Sequence, residues 1–161
     1  MAASRQNKLI AEGSRAPDFR LSRLDGGQAA LADLAAGGPI LLAFFKVTCP
    51  VCQFALPFVN RLHNPSLPVY GVSQNCAEDT HDFNRQFGLS FPTLLDPEDD
   101  GFPASNAYGI SSVPTLILVG RDGAVARVIE GWQRKQMEWL GCQAGVAPIR
   151  AGENVPDWKA G

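Results

Sequence analysis

No apolar run in these 161 residues is long enough to cross a bilayer. The most apolar stretch, residues 39–45 (PILLAFF), falls far short of the roughly 20 residues a membrane helix needs. An excess of either charge is missing too. The 14 Lys and Arg against 16 Asp and Glu leave a net charge of −2, with no basic stripe to hold a nucleic-acid backbone. Only two histidines occur, His63 and His81, and both fall in polar helical patterns that suit surface positions. The first residues, MAASRQNKLIAEGSRAP, lack the apolar h-region of a secretory signal. The expected compartment is therefore the cytoplasm, where a stable structural disulfide is not expected, with an extracytoplasmic location as the alternative if a leader precedes these residues. Internal repeats and low-complexity segments are also absent.

What is present fits one globular domain. Hydrophobic residues make up 45% and charged residues 19%, an ordinary balance for a chain long enough to bury a core. Turn signals at Asp25, Gly26 and Gly27 predict a small hairpin near the N-terminus. The run at 39–45, bounded by breakers, predicts a strand buried on both faces. Residues 50–63 read as a helix with Pro50 at its first position, an apolar stripe at Phe54, Phe58 and Leu62, and Pro57 inside it. Further strands are expected at 67–72, 91–95, 113–119 and 124–129, with helices at 79–87, 102–108 and 132–142. The order is a hairpin followed by β-α-β-α-β-β-α, which predicts an α/β fold with a central mixed sheet flanked by helices. A domain over 13–142 is expected, with an N-terminal extension at 1–12 and an irregular tail at 143–161.

Four cysteines are present: Cys49, Cys52, Cys76 and Cys142. One C-x-x-C without a second is not the paired spacing of a structural zinc site, so no metal is expected. Cys49 and Cys52 could be a redox centre or two buried thiols. Their place between a buried strand and a helix start favours the first reading. A thiolate is the reactive form of cysteine, and a helix N-terminus offers it unpaired N–H groups and partial positive charge. Cys49 should be the more exposed of the two, and Cys52 should lie one turn further in. Cys76 reads as a loop thiol and Cys142 as a packed residue closing the last helix. The acidic run Glu98, Asp99 and Asp100 has no metal-loop spacing and reads as a solvated turn.

Several motifs together resemble the thioredoxin-like superfamily. Within it, the likeness is to the TlpA and ResA type of disulfide reductase and to the related alkyl hydroperoxide reductase/thiol-specific antioxidant (AhpC/TSA, redoxin) group. Ala16-Pro17-Asp18-Phe19 followed by Leu24-Asp25-Gly26-Gly27 resembles the group's lead-in hairpin. Pro57, five residues after Cys52, matches the proline inside the thioredoxin helix. Tyr108-Gly109-Ile110 followed by Val113-Pro114-Thr115 resembles the segment carrying the family's cis-proline. The resemblance implies a thioredoxin fold with an extra N-terminal β-hairpin, and a thiol–disulfide oxidoreductase. Cys49 attacks, Cys52 resolves, Pro50 stiffens the turn, and Thr48 and Lys46 support the site. It further implies that Val113, Pro114 and Thr115 frame the substrate, with the backbone at Val113 pairing with an extended chain. The partners implied are a disulfide-containing protein or small thiol and a separate reductant. No cofactor is implied.

The sequence departs from the family in places. Thr48 stands where thioredoxins have tryptophan, Ala43 where they have a buried aspartate, and Ala55 where the ResA type has a glutamate. The resemblance also implies an alternative activity, a thiol peroxidase similar to the peroxiredoxins with their P-x-x-x-T-x-x-C. On that reading Cys52 is the peroxide-reactive thiolate, Thr48 its threonine, and Cys49 or Cys76 the resolving thiol. The pattern's proline then falls on Phe44, which does not match.

Overall fold

The structure, a computed structural model, describes residues 8–161. The first seven residues of the expected extension lie outside the described residues. Strands β1 (Arg20–Arg23) and β2 (Gln28–Ala30) make the expected antiparallel hairpin, followed by a short helix α1 (Leu31–Ala35). The apolar run is β3 (Ile40–Phe45), with all six residues buried, and it leads into α2 (Pro50–Asn60). Then come β4 (Val69–Ser73), α3 (Ala77–Gln86), β5 (Thr93–Leu95) and α4 (Pro103–Tyr108). The chain closes with β6 (Thr115–Val119), β7 (Val125–Glu130), β8 (Trp132–Gln133), α5 (Arg134–Ala144) and β9 (Trp158–Lys159).

Seven strands form one sheet in the order β2-β1-β5-β4-β3-β6-β7. β3 pairs in parallel with β4, and β4 with β5, as crossover connections through α2 and α3 require. β6 runs antiparallel to β3, and β7 antiparallel to β6. The mixed sheet expected from the sequence is therefore present, with β3 at its centre. Gly71 in β4 is dictated by packing, since a β-carbon there would stand 2.7 Å from the Phe91 ring. Glu98, Asp99 and Asp100 form an exposed single turn. No helix among the described residues is long and apolar enough to cross a membrane.

Several boundaries and side chains differ from expectation. α2 ends at Asn60 rather than His63, and the His63 imidazole is half-buried, its Nδ1 accepting the Val69 N–H at 2.9 Å. Burial lowers the imidazole's pKa. Residues 8–12 are not loose, because Ile10 N–H donates to the Tyr108 carbonyl at 3.0 Å and a Glu12 carboxyl oxygen accepts the Val128 N–H at 3.1 Å. Cys142 is exposed and not packed. Trp132 does not begin the last helix. It is drawn into β8 by antiparallel pairing with β9.

The expected irregular tail is mostly without regular structure, yet it is fastened along its length. Trp132 is 1% exposed, packs against Phe54 and Phe58 of α2, and donates its indole N–H to the Pro156 carbonyl at 2.6 Å. Arg61 at the end of α2 forms a two-pronged pair with Glu153, at 2.7 and 3.0 Å. The Arg61 hydrogen bonds, then the Arg150 N–H, pull the Glu153 carboxyl down from 4.5 to about 2. As pH falls, the unfolded chain therefore takes up this proton before the folded one does. The stabilisation is complete above about pH 4.5 and is lost toward pH 2. Glu153→Gln should thus have a lower urea midpoint than the parent at pH 7, with the gap closing as pH falls through that window. A gap that stays constant with pH would sink this assignment.

Candidate active site

The site sits where β3 hands over to α2. β3 delivers the chain to an exposed turn at Lys46, Val47 and Thr48, and Cys49 follows as the N-cap of α2. Pro50 occupies the first helical position, where its missing N–H costs no intrahelical bond. Two amide side chains brace the turn: Val47 N–H donates to Asn75 Oδ1 at 3.0 Å, and Gln53 Nε2 donates to the Val47 carbonyl at 3.0 Å. Neither Asn75 nor Gln53 belongs to a recognisable sequence pattern, so only the fold reveals them.

The two cysteines are in distinct environments. Cys49 is half-buried, and its Sγ accepts the Cys52 N–H at 3.2 Å, a helix-terminal donor aimed at the sulfur. The same thiol donates to the Val113 carbonyl at 3.3 Å. Cys52 is 0% exposed. Burial, then the hydrogen bond with Cys49, pushes its thiol well above the ordinary range. Ala43 and Ala55, which stand where the family's acidic neighbours would, are both buried.

The loop ahead of β6 completes the site. The Val113–Pro114 peptide is cis, and both residues are buried. Thr115 departs from its expected part in framing substrate. It is 1% exposed and its hydroxyl is spent on the Ser112 carbonyl at 2.8 Å, so it shapes the loop from behind. Lys46 is exposed and lines a cleft of about 200 Å³ that reaches Val113, together with Gln74, Ser105, Ser111 and Ser112.

On the other flank lies the segment 158–161, which nothing in the sequence connected to the site. A β-carbon on Gly161 would stand 2.5 Å from the Val113 carbonyl oxygen and 3.0 Å from its carbon. Gly131, whose N–H donates to the Pro114 carbonyl at 2.8 Å, is covered by the same segment. The Lys159 ammonium lies 5.5 Å from the centre of the Phe54 ring.

The peroxidase arrangement is not met. Three residues before Cys52 stands Cys49, so Thr48 is one position out of the T-x-x-C register. Thr48 is exposed in the turn, and Cys52 is closed off from solvent with a raised pKa, the opposite of a peroxide-reactive thiolate. Cys76 is exposed at the N-cap of α3. Among the described residues, no group of three or more His, Cys, Asp or Glu is placed to hold a metal ion.

Comparison with known proteins agrees with this geometry. The sequence model of the AhpC/TSA family matches residues 13–128. The chain is 35% identical over 140 residues to the thiol-disulfide oxidoreductase ResA of Geobacillus thermodenitrificans, covering 81% of this chain and 76% of that protein. It is 32% identical over 133 residues to ResA of Bacillus subtilis, covering 80% and 72%. The thioredoxin domain of a thiol-disulfide oxidoreductase from Bacteroides vulgatus superposes with a TM-score of 0.72 at 23% identity, covering 85% of this chain and 99% of that one. The thioredoxin fold with an added N-terminal hairpin is thereby confirmed.

Proposed function

The chain belongs to the AhpC/TSA family, and we propose that it works as a thiol–disulfide oxidoreductase in which Cys49 attacks and Cys52 resolves. The observation that carries this reading is the asymmetry of the pair. Cys49 Sγ is reachable, held at the start of α2 by the Cys52 N–H at 3.2 Å, while Cys52 is sealed behind it. The Cys49 thiolate attacks one sulfur of a disulfide R–S–S–R, the S–S bond breaks, and RS⁻ departs. The Cys52 sulfur then attacks Cys49 of the mixed disulfide, and its proton leaves with the second RSH. Two electrons and two protons pass from the dithiol to the substrate, leaving a Cys49–Cys52 disulfide that a partner dithiol or small thiol must reduce. Pro50 and the cis Val113–Pro114 peptide hold the geometry.

The test is single-turnover mixing of the reduced protein with hydroxyethyl disulfide and, separately, with hydrogen peroxide. Fast formation of the Cys49–Cys52 disulfide with the first, and slow reaction with the second, is expected. Fast peroxide consumption with a sulfenic acid trapped on Cys52 would replace this reading with a peroxidase.

A further inference from the structure

We infer that the disulfide this site reduces is a small, carboxylate-bearing molecule taken from the cleft beside Lys46, and not an extended polypeptide. The inference rests on the exchange chemistry proposed above and adds the class of substrate. Two independent features carry it, one on each flank of Val113.

The first flank is already occupied. A polypeptide docking by strand addition would donate an N–H to the Val113 carbonyl. That carbonyl accepts the Cys49 thiol at 3.3 Å, and Gly161 is packed so closely on it that a β-carbon would stand 2.5 Å from the oxygen. The covering segment is not a stray end. β9 pairs with β8 in register, Trp132↔Lys159 and Gln133↔Trp158, and Arg134 N–H donates to the Asp157 carbonyl at 2.9 Å. Behind it, the indole of buried Trp132 holds the Pro156 carbonyl at 2.6 Å. An incoming chain would have to peel off these bonds before it could pair with Val113.

The second flank is open and polar. The cleft of about 200 Å³ has room for part of a small molecule but not for a folded chain. Its lining includes one charged group, Lys46, and no carboxylate. Lys46 has no ion-pair partner among the described residues. The hydroxyls of Ser111 and Ser112 and the hydrogen-bonded pair Gln74 Nε2 to Ser105 Oγ, 2.9 Å, supply neutral partners around it. A lone cation among neutral polar groups selects an anion, and Val113, which lines this cleft and accepts the Cys49 thiol, joins it to the attacking sulfur, so the anion chosen is a carboxylate carried by the disulfide itself. The step is the balanced exchange written above: one R–S–S–R bond breaks, two RSH leave, and the Cys49–Cys52 disulfide forms.

The experiment compares second-order rates of the reduced protein with four probes: oxidised glutathione (carboxylate-bearing), hydroxyethyl disulfide (neutral), cystamine (cationic) and insulin (polypeptide). The parent should prefer oxidised glutathione to cystamine by about tenfold or more at low salt, and the preference should shrink as salt is raised. Lys46→Gln should cut the ratio of oxidised glutathione to hydroxyethyl disulfide by about tenfold. The ratio cancels any effect of Lys46 on the sulfur, which acts on all probes alike. Gly161→Val, at the exposed outer end of the segment, must push that end off Val113. It should raise the ratio of insulin to oxidised glutathione by about tenfold, with the melting temperature showing that the body stays folded. A parent that reduces insulin as fast as oxidised glutathione overturns the inference and leaves the exchange reading standing, as does a glutathione-to-hydroxyethyl ratio unmoved by Lys46→Gln. Failure to reduce any of the four overturns both.

Discussion

Cys49→Ser will abolish disulfide exchange, lowering the rate by roughly three orders of magnitude or more, whereas Cys52→Ser will complete the first step and then stop. The difference follows from where the two sulfurs lie. Cys49 has a face toward the cleft-lined Val113 loop and an N–H aimed at its sulfur, so of the two it alone can meet a disulfide from outside. A serine hydroxyl in its place is a far weaker nucleophile at neutral pH. Cys52 is 0% exposed, and burial pushes its pKa up, so in Cys49→Ser it offers no accessible thiolate to replace the lost one. In Cys52→Ser the first attack remains, but no internal thiol waits at the Cys49 sulfur, and the mixed disulfide accumulates. Peptide mapping by mass spectrometry after mixing with oxidised glutathione will read both results apart from the exposed thiols of Cys76 and Cys142: a glutathionyl group on Cys49 of Cys52→Ser, and none on Cys52 of Cys49→Ser. Iodoacetamide should label Cys49 in the folded parent, along with the exposed Cys76 and Cys142, and reach Cys52 only after denaturation. An adduct that forms on Cys52 of Cys49→Ser as fast as on Cys49 of Cys52→Ser would reverse the two roles.

The parts of this molecule that were legible in the sequence are those set by local chemistry. The β3 run between breakers reads as a doubly buried strand because nothing polar interrupts it, and all six of its residues are buried. Pro50 directly after Cys49 marks a helix start, and the helix begins there. The cis peptide at Pro114 was legible only through family resemblance, since residue type alone does not select it. What was illegible depends on long-range pairing. Residues 143–161, with two prolines and three glycines, read as irregular, and short of β9 they largely are. Their docking is specified by residues far away: Trp132, whose indole needs an acceptor, Arg61, which finds Glu153, and Gly131, which leaves room. Trp132 itself reads as helical from its neighbours and is a strand residue because of its partner. The burial of Thr115 is illegible for a similar reason, since its side-chain direction is set by the loop that its own hydroxyl closes.

Asp96→Ala will be among the most destabilising single changes away from the cysteines, and it will act on the site from behind. Asp96 follows β5 and is 0% exposed. Its two carboxyl oxygens accept the N–H groups of Ala104 at 2.7 Å and Ser105 at 2.8 Å, in the first turn of α4. The N-cap position itself is filled by Phe102, whose side chain caps nothing and whose φ of 49° is left-handed. Asp96 therefore supplies from a distance the capping that the local sequence omits. Each buried N–H left without a partner costs about 1–3 kcal/mol, so alanine should cost about 2–6 kcal/mol. For a chain of this size that corresponds to a fall in melting temperature of about 10 °C, readable by calorimetry at pH 7. The Asp96→Asn variant keeps one acceptor but turns a donor toward the other N–H, and should fall between the parent and alanine. The consequence for chemistry follows from connectivity. α4 carries Ser105 into the cleft and runs on into the loop that ends at Val113, against which Cys49 is set. Loosening its first turn should slow disulfide exchange even in the fraction that remains folded. A variant that melts with the parent would show that water replaces the carboxyl group at no cost, and would remove Asp96 from the support of the site.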